Sequence, residues 1–296
     1  MNTRTIKRGW GDRTFSVVNY ILLAALAGIC LYPMLYVIFA SFSESGLLTQ
    51  HSGLLLKPQG FSTSAYAKVF KNPMILRGYL NTLFLLVVGV FCQIIMTSVA
   101  AYVLSRKRVM WRNLLMMLIT FTMFFSGGMI PFYLTLKHLH LTDTLMGLII
   151  PFMINTYNLI ILRTSFASIP ESLTEAAQID GAGHVRILFS IILPLSKAIL
   201  AVMVLYYGVG IWNSWFWAST ILRNRESYPL QVVLREILLQ NSTTSMTTGV
   251  GAGDQESVAA TIKYATIVVA TVPILCIYPF LQKYFATGVM VGAVKE

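Results

Sequence analysis

Charge is what this sequence has least of. Only 11% of its 296 residues are Asp, Glu, Lys or Arg, 56% are hydrophobic, and the mean hydropathy is +0.70. Ordinary soluble domains carry roughly 25% charged residues, so too little polar surface exists here to coat a water-soluble globule, which argues against a cytosolic enzyme. The same poverty of charge, with 17 Phe, 14 Tyr and 5 Trp, excludes intrinsic disorder. Cysteine is also scarce: Cys30, Cys92 and Cys276 each fall inside an apolar run, are odd in number and show no metal-ligand spacing. The four histidines, His51, His138, His140 and His184, are scattered, so no metal site is visible. No Gly-Lys-Ser/Thr occurs anywhere, and Gly249, Gly251 and Gly253 follow no strand, so this chain cannot itself hydrolyse ATP by a P-loop. The net charge of +11 does not point to nucleic acid, because the basic residues sit between apolar runs rather than along one face.

What the sequence has in excess is long uncharged stretches: 14–43, 78–105, 113–136, 144–162, 198–222 and 264–282. A helix rising about 1.5 Å per residue needs around 20 residues to cross a roughly 30 Å hydrocarbon core. Six transmembrane helices are expected, in an all-α membrane protein. Their length and lack of alternation exclude an outer-membrane barrel. The first run is longer than a signal-peptide core and reads as a retained anchor. With a cytoplasmic N-terminus, 13 basic residues fall inside and 9 outside, and the short loop Arg106-Lys107-Arg108 to Arg112 carries four of them. Short loops are where the positive-inside rule counts, so both termini are expected in the cytoplasm. Residues 1–14 are then a cytoplasmic tail and 15–296 a transmembrane domain, with external segments at about 44–77 and 223–263.

Prolines 33, 131, 151, 273 and 279 punctuate the spans, as packing kinks or as breaks facing protein or water. In the external segments, Phe61, Tyr66 and Phe70 form an aromatic series. Leu230, Val233, Leu234, Ile237 and Leu238 fall on one face of a short surface helix, and Asn241–Gly253 reads as a loop. The cytoplasmic loop at about 166–194 is the most specified segment. Ser168 and Glu171 fit a capping box, Pro170 falls in the first turn, and Gly181 supplies a left-handed stop, giving a helix from about Ile169 to Asp180. A second helix starts near His184 and runs to Pro194. On the residues alone this pair serves equally as an ordinary amphipathic loop or as a docking device.

The run Glu175-Ala176-Ala177, Gly181, Ile191 and Leu193-Pro194 resembles, position by position, the EAA motif of ABC-importer permeases. The resemblance covers nearly the whole chain and is closest to the smaller permease of carbohydrate importers, the maltose-transporter-like group. It rests also on Ser64–Phe70 ahead of Asn81-Thr82-Leu83, on Pro131-Phe132-Tyr133, on Ile211–Trp215 and on the tail Gly288–Lys295. The family usually shows a more polar Trp-Asn-x-Phe stretch, from which Trp215 and Trp217 depart.

The resemblance implies a type I importer fold in the bacterial cytoplasmic membrane and a second homologous permease as heterodimer partner. It also implies two ATPase subunits or one ATPase homodimer, carrying the ATP and Mg that this chain does not bind, and an extracytoplasmic solute-binding protein. An oligosaccharide released from a complex polysaccharide is the implied cargo. A non-sugar solute is the alternative, and a secondary transporter is disfavoured because the spans hold essentially no ionisable residue beyond Lys197 near an end. The expected coupling residues are Glu175, Ala176, Ala177, Gly181, Ile191, Leu193 and Pro194. The expected pathway residues are Asn155, Asn158, Trp212, Asn213 and Trp215, whose amides and indoles suit sugar hydroxyls and apolar ring faces. The alternative for these five is an interfacial aromatic belt and asparagines that glue helices.

Overall fold

The computed structural model describes residues 10–247, 260–276 and 279. Every regular element among them is helical, apart from one isolated antiparallel bridge between Ser43 and Phe61. The described residues divide into two compact units, one built from 10–71 with 238–247 and 260–269, the other from 72–237 with 270–276.

In the first unit α1 (Trp10–Ser41) is apolar on all sides, and only Ala40 and Ser41 are buried. A helix of this kind has lipid as its solvent. Pro33 sits inside it without dividing it. The chain then folds back over its end through α2 (Ser45–Gln50) and α3 (Ser64–Lys71). Ser41 Oγ lies 2.8 Å from Tyr66 OH, Tyr32 OH accepts from the Leu55 amide at 3.1 Å, and Phe61 stacks on Phe42 at 5.7 Å. Two of the three expected external aromatics are therefore engaged, and Phe70 is exposed.

The second unit is organised by one long helix. Asn72 caps α4 (Pro73–Phe84), which passes through a π-turn, Leu85–Gly89, into α5 (Val90–Ser105). Next come α6 (Arg112–Phe124) and α7 (Met129–His138), bent by 115° across a break where Gly128 takes φ +84°. Short 3-10 turns at Leu145–Leu148 and Ile150–Phe152 lead into α8 (Thr156–Ala167) with a bend of 48°. After α9 (Glu171–Ile179) and α10 (His184–Ile187), a π-turn over Leu188–Ile192 and α11 (Leu193–Leu195) meet α12 (Lys197–Trp212) at 88°. Then α13 (Phe216–Ile221) and α14 (Leu230–Thr247) follow, and α15 runs from Ala260 to Cys276. The core collects Tyr102 and Leu104 from α5, Leu159, Leu162 and Phe166 from α8, Ile187 and Ile192 around the π-turn, and Met203 and Tyr207 from α12.

Against the six expected spans, two helices among the described residues are long and apolar enough to cross a membrane unaided, Trp10–Ser41 and Pro73–Ser105. Three more candidates are bent pairs, and α15 is a shorter apolar helix. The run 198–222 is broken: α12 stops at Trp212 because Asn213 and Ser214 turn the chain, their amides closing onto Val209 and Ile211 carbonyls at 3.1 Å each. The 241–253 loop is also corrected, since α14 continues to Thr247. Its buried start at Leu230, Val232, Val233 and Leu234 nucleates a helix that propagates through the Ser/Thr-rich sequence. Residues 248–253 lie outside the described residues, as does the Gly288–Lys295 tail.

The Asn81-Thr82 pair acquires a physical reason here. Asn81 Nδ2 donates to the Glu226 and Tyr228 carbonyls at 2.7 and 3.1 Å, and Thr82 Oγ1 accepts from the Leu230 amide at 2.9 Å. One turn earlier, Gly78 faces the same backbone so closely that a Cβ would stand 3.1 Å from Leu230 Cα. Together they seat the start of α14 on α4.

Candidate functional site

The first site is the loop from Ala167 to Ser196. Its helix α9 is shorter than expected, and the capping box does not form. Pro170 stands outside the helix at φ −53° and ψ 130°, while Ser168 Oγ closes the end of α8 on the Ser165 carbonyl at 2.7 Å. Proline disfavours helical backbone in the residue before it, which separates Ser168 from α9. The C-terminal end is as expected: Gly181 adopts φ +82°, and the Ala182 amide returns to the Ala177 carbonyl at 2.9 Å.

The inner side of α9 is clamped to the basic loop that follows α5. Thr174 is buried and its hydroxyl accepts from Arg106 Nη1 at 2.8 Å, while Arg106 lies 4.5 Å above the Tyr102 ring. Glu171 and Glu175, one turn apart, pair with Lys107 at 3.6 Å and Arg108 at 3.3 Å. Both pairs are exposed, so they orient the helix more than they stabilise it. Tyr102 OH meets His184 Nδ1 at 3.2 Å, and Arg163 Nε donates to the Leu104 carbonyl at 3.2 Å. A cavity of about 600 Å³ lies under α9, between Tyr102, Arg106, Thr174, His184 and Phe189.

The outer side of α9 carries apolar residues in the open. Leu173 is 44% exposed and Ile179 86%, with exposed Ala176 between them at helical spacing. Val185, at the start of α10, is 72% exposed. Leu173, Ile179 and Val185 were not among the expected coupling residues, though their spacing around Ala176 was a readable signal. Ala177 stands on the other side: it is half-buried and packs on the chain's own core, as do Ile169, Ala182 and Leu193. Its small size therefore serves packing within this chain. Ile191 is half-buried and Pro194 exposed, both just before the bend at Ser196.

The second site lies between α5, α8 and α12. Asn155 and Asn158 are brought together there: Asn155 Oδ1 accepts the Asn158 amide at 3.1 Å as the N-cap of α8. They line both a cavity of about 230 Å³, shared with Gln93, Tyr207, Ser214 and Trp217, and a wider one of about 620 Å³ reaching Ile274 and Leu275. The other three expected residues go elsewhere. Trp212 is buried near Tyr79, against an apolar cavity of about 520 Å³ walled by Leu86 and Phe91. Asn213 is exposed in the turn after α12, and Trp215 carries the Arg235 guanidinium 4.3 Å over its ring. Gln93, Tyr207 and Trp217 are the residues that sequence reasoning missed, since an isolated glutamine in an apolar run carries no spacing signal.

Comparison with known proteins decides what this architecture is. The family described as "Binding-protein-dependent transport system inner membrane component" matches residues 75–291. The chain belongs to this family. It is 42% identical over 283 residues to Protein LplC of Bacillus subtilis, covering 96% of this chain and 95% of that one. It is 40% identical over 289 residues to the polygalacturonan/rhamnogalacturonan transport system permease protein YtcP of the same organism, covering 96% and 99%. A crystal structure of a bacterial ABC transporter that imports the acidic polysaccharide alginate contains a chain matching with TM-score 0.85 and 35% identity, covering 95% of this chain and all of that one. The protein is thus the inner membrane permease component of an ABC importer, a transport subunit rather than an enzyme. Membership implies work alongside an ATPase, a solute-binding protein and a second permease.

Proposed function

We propose that this permease forms a heterodimer with a homologous second permease and, driven by two ATPase subunits or one ATPase homodimer, imports an oligosaccharide released from a complex polysaccharide. ATP and Mg reside on the ATPase, and a solute-binding protein delivers the sugar. Both termini face the cytoplasm, residues 44–77 and 223–263 are external, and six spans cross the bilayer. The support for the cargo is the likeness to a polygalacturonan/rhamnogalacturonan permease and to an alginate importer, together with a pathway side built of amides and aromatic rings rather than ionisable groups.

The coupling element in this reading is α9. The observation that carries it is the exposed apolar edge Leu173, Ala176 and Ile179 on a helix whose opposite side is clamped to this chain. An isoleucine 86% exposed at a helix end outside any uncharged run is costly in water and is covered when a partner closes over it. The ATPase groove meets that edge, with Gly181 setting the direction in which α10 leaves. A push on α9 passes through Ala177, Ala182 and Leu193 into the core, and through Arg163 to the end of α5. Closure of the ATPase dimer then shifts the membrane cavity between two states, one favoured by the bound nucleotide. Replacing Ile179 by Asp should leave insertion and permease pairing intact but reduce recovery of the ATPase subunit by tenfold or more, on the order of 2 kcal/mol for one lost apolar anchor. Undiminished ATPase recovery and sugar uptake in that variant would return α9 to being an ordinary loop helix.

A further inference from the structure

The smaller cavity of the second site has features that a mere packing gap lacks. Gln93 is only 5% exposed; its Nε2 donates to the Phe152 carbonyl at 3.0 Å, which fixes the amide's orientation, and its Oε1 has no hydrogen-bond partner among the described residues. Asn158 is 6% exposed and lines the same cavity, with its backbone amide held by Asn155 Oδ1 at 3.1 Å. Two neighbouring polar groups are already committed. Tyr207 OH is 2.6 Å from Thr97 Oγ1 and accepts from the Asn155 amide at 3.3 Å, while Asn155 Oδ1 is used as the helix cap. Two side-chain amides thus line one half-open cavity, and the buried Gln93 Oε1 is unpaired there, so a ligand that donates to it is favoured.

The rest of the wall narrows the ligand. Among the described residues no Lys, Arg, His, Asp or Glu lines the cavity, so a carboxylate entering it would find no counter-charge there. Trp217 supplies an aromatic wall, braced edge-on against Phe132 at 4.7 Å. At about 230 Å³ the space falls below the roughly 300–1,000 Å³ of pockets for larger ligands, so it takes one ring and not a chain. A lipid tail would fill it without satisfying either amide.

We propose that Gln93 and Asn158 form a hydroxyl-reading subsite for one uncharged sugar ring, so that this chain itself contributes to cargo selection in the membrane. The inference rests on the sugar-import reading above. When the ring enters, a hydroxyl donates to Gln93 Oε1, Asn158 takes a second hydroxyl, and the apolar ring face lies on Trp217. Any carboxylate on a neighbouring ring is read outside this cavity.

The test uses the complete transporter with its binding protein in proteoliposomes, supplied with a labelled rhamnogalacturonan oligomer, in which an uncharged ring alternates with a galacturonate, and, separately, with the same oligomer after its carboxylates have been reduced to alcohols. Because the binding protein sets the concentration dependence, the readout is sugar moved per ATP hydrolysed. Gln93→Leu and Asn158→Leu should each lower that ratio about tenfold, the loss of one hydrogen bond to a buried amide, compared at equal amounts of assembled complex. Gln93→Glu, nearly isosteric, should discriminate: transport of the carboxylated oligomer should fall at least tenfold further than that of the reduced one. Variants that assemble normally and move both sugars at the wild-type ratio would overturn the subsite and leave Gln93 and Asn158 as helix-joining amides. A wild-type transporter that hydrolyses ATP but moves neither oligomer nor any other oligosaccharide would refute the sugar reading itself, and the subsite with it.

Discussion

Gly181 separates two ways in which a coupling loop can fail, through its backbone or through its contacts. The residue holds φ +82°, and a Cβ built there would meet nothing within 4 Å. Substitution therefore has no steric term within the chain; its cost is conformational, about 1–2 kcal/mol for an ordinary L-residue held in left-handed geometry and more for a β-branched one. The turn also carries the return bonds from the Asp180 amide to the Ala176 carbonyl at 3.0 Å and from the Ala182 amide to the Ala177 carbonyl at 2.9 Å. If the turn relaxes, these add about 1 kcal/mol each, and α10 leaves in a new direction. Asparagine tolerates left-handed backbone. Gly181→Val should thus lose about 2–4 kcal/mol locally and uncouple ATP hydrolysis from transport, whereas Gly181→Asn should keep most of both. The assay is sugar moved per ATP in the reconstituted transporter, alongside recovery of the ATPase on purification. Equal damage from Asn and Val would refute the backbone argument and place Gly181 in the partner interface, where any side chain obstructs. Wild-type coupling in Gly181→Val would refute both.

Ala177→Leu should destabilise the permease itself by about 1–3 kcal/mol through overpacking, seen as a lower melting temperature of the isolated permease pair, while Ala176→Leu should leave that temperature unchanged. Equal melting of the two variants would contradict the inward placement of Ala177. At the opposite end of the spans, Asp143 accepts the Asn224 and Arg223 amides at 2.8 Å each, and these bonds hold its carboxyl below the usual 3.8. A depressed carboxyl contributes stability above its unfolded value and loses it as pH falls through its folded value. Hydrogen-exchange protection of the Arg223 and Asn224 amides should therefore persist from neutral pH down to about 4 and decline only below, and Asp143→Ala should abolish that protection at every pH. Protection already lost near pH 6 would show that another group holds these amides.

The parts legible from sequence are those governed by local rules. Scarce charge and long uncharged runs required lipid as solvent, and the long helices Trp10–Ser41 and Pro73–Ser105 follow from run length alone. The left-handed turn at Gly181 was equally local, because glycine without a Cβ enters that region freely. The Ser168 capping box failed for a reason also present in the sequence, the proline two residues on, whose effect on its neighbour outweighed a cap pattern.

Tertiary structure decided whatever depends on which face a helix turns to its neighbours. Two neighbouring alanines have the same hydropathy, so hydropathy does not say that Ala177 faces the core while Ala176 faces outward. Nor does it say that Trp212 joins an apolar wall while Gln93, one glutamine in an uncharged run, reaches the same cavity as Asn158. The bend of 48° has the same origin. A helix breaks where freed carbonyls find partners elsewhere in the fold, as the Phe152 carbonyl finds Gln93, and those partners lie far away along the chain.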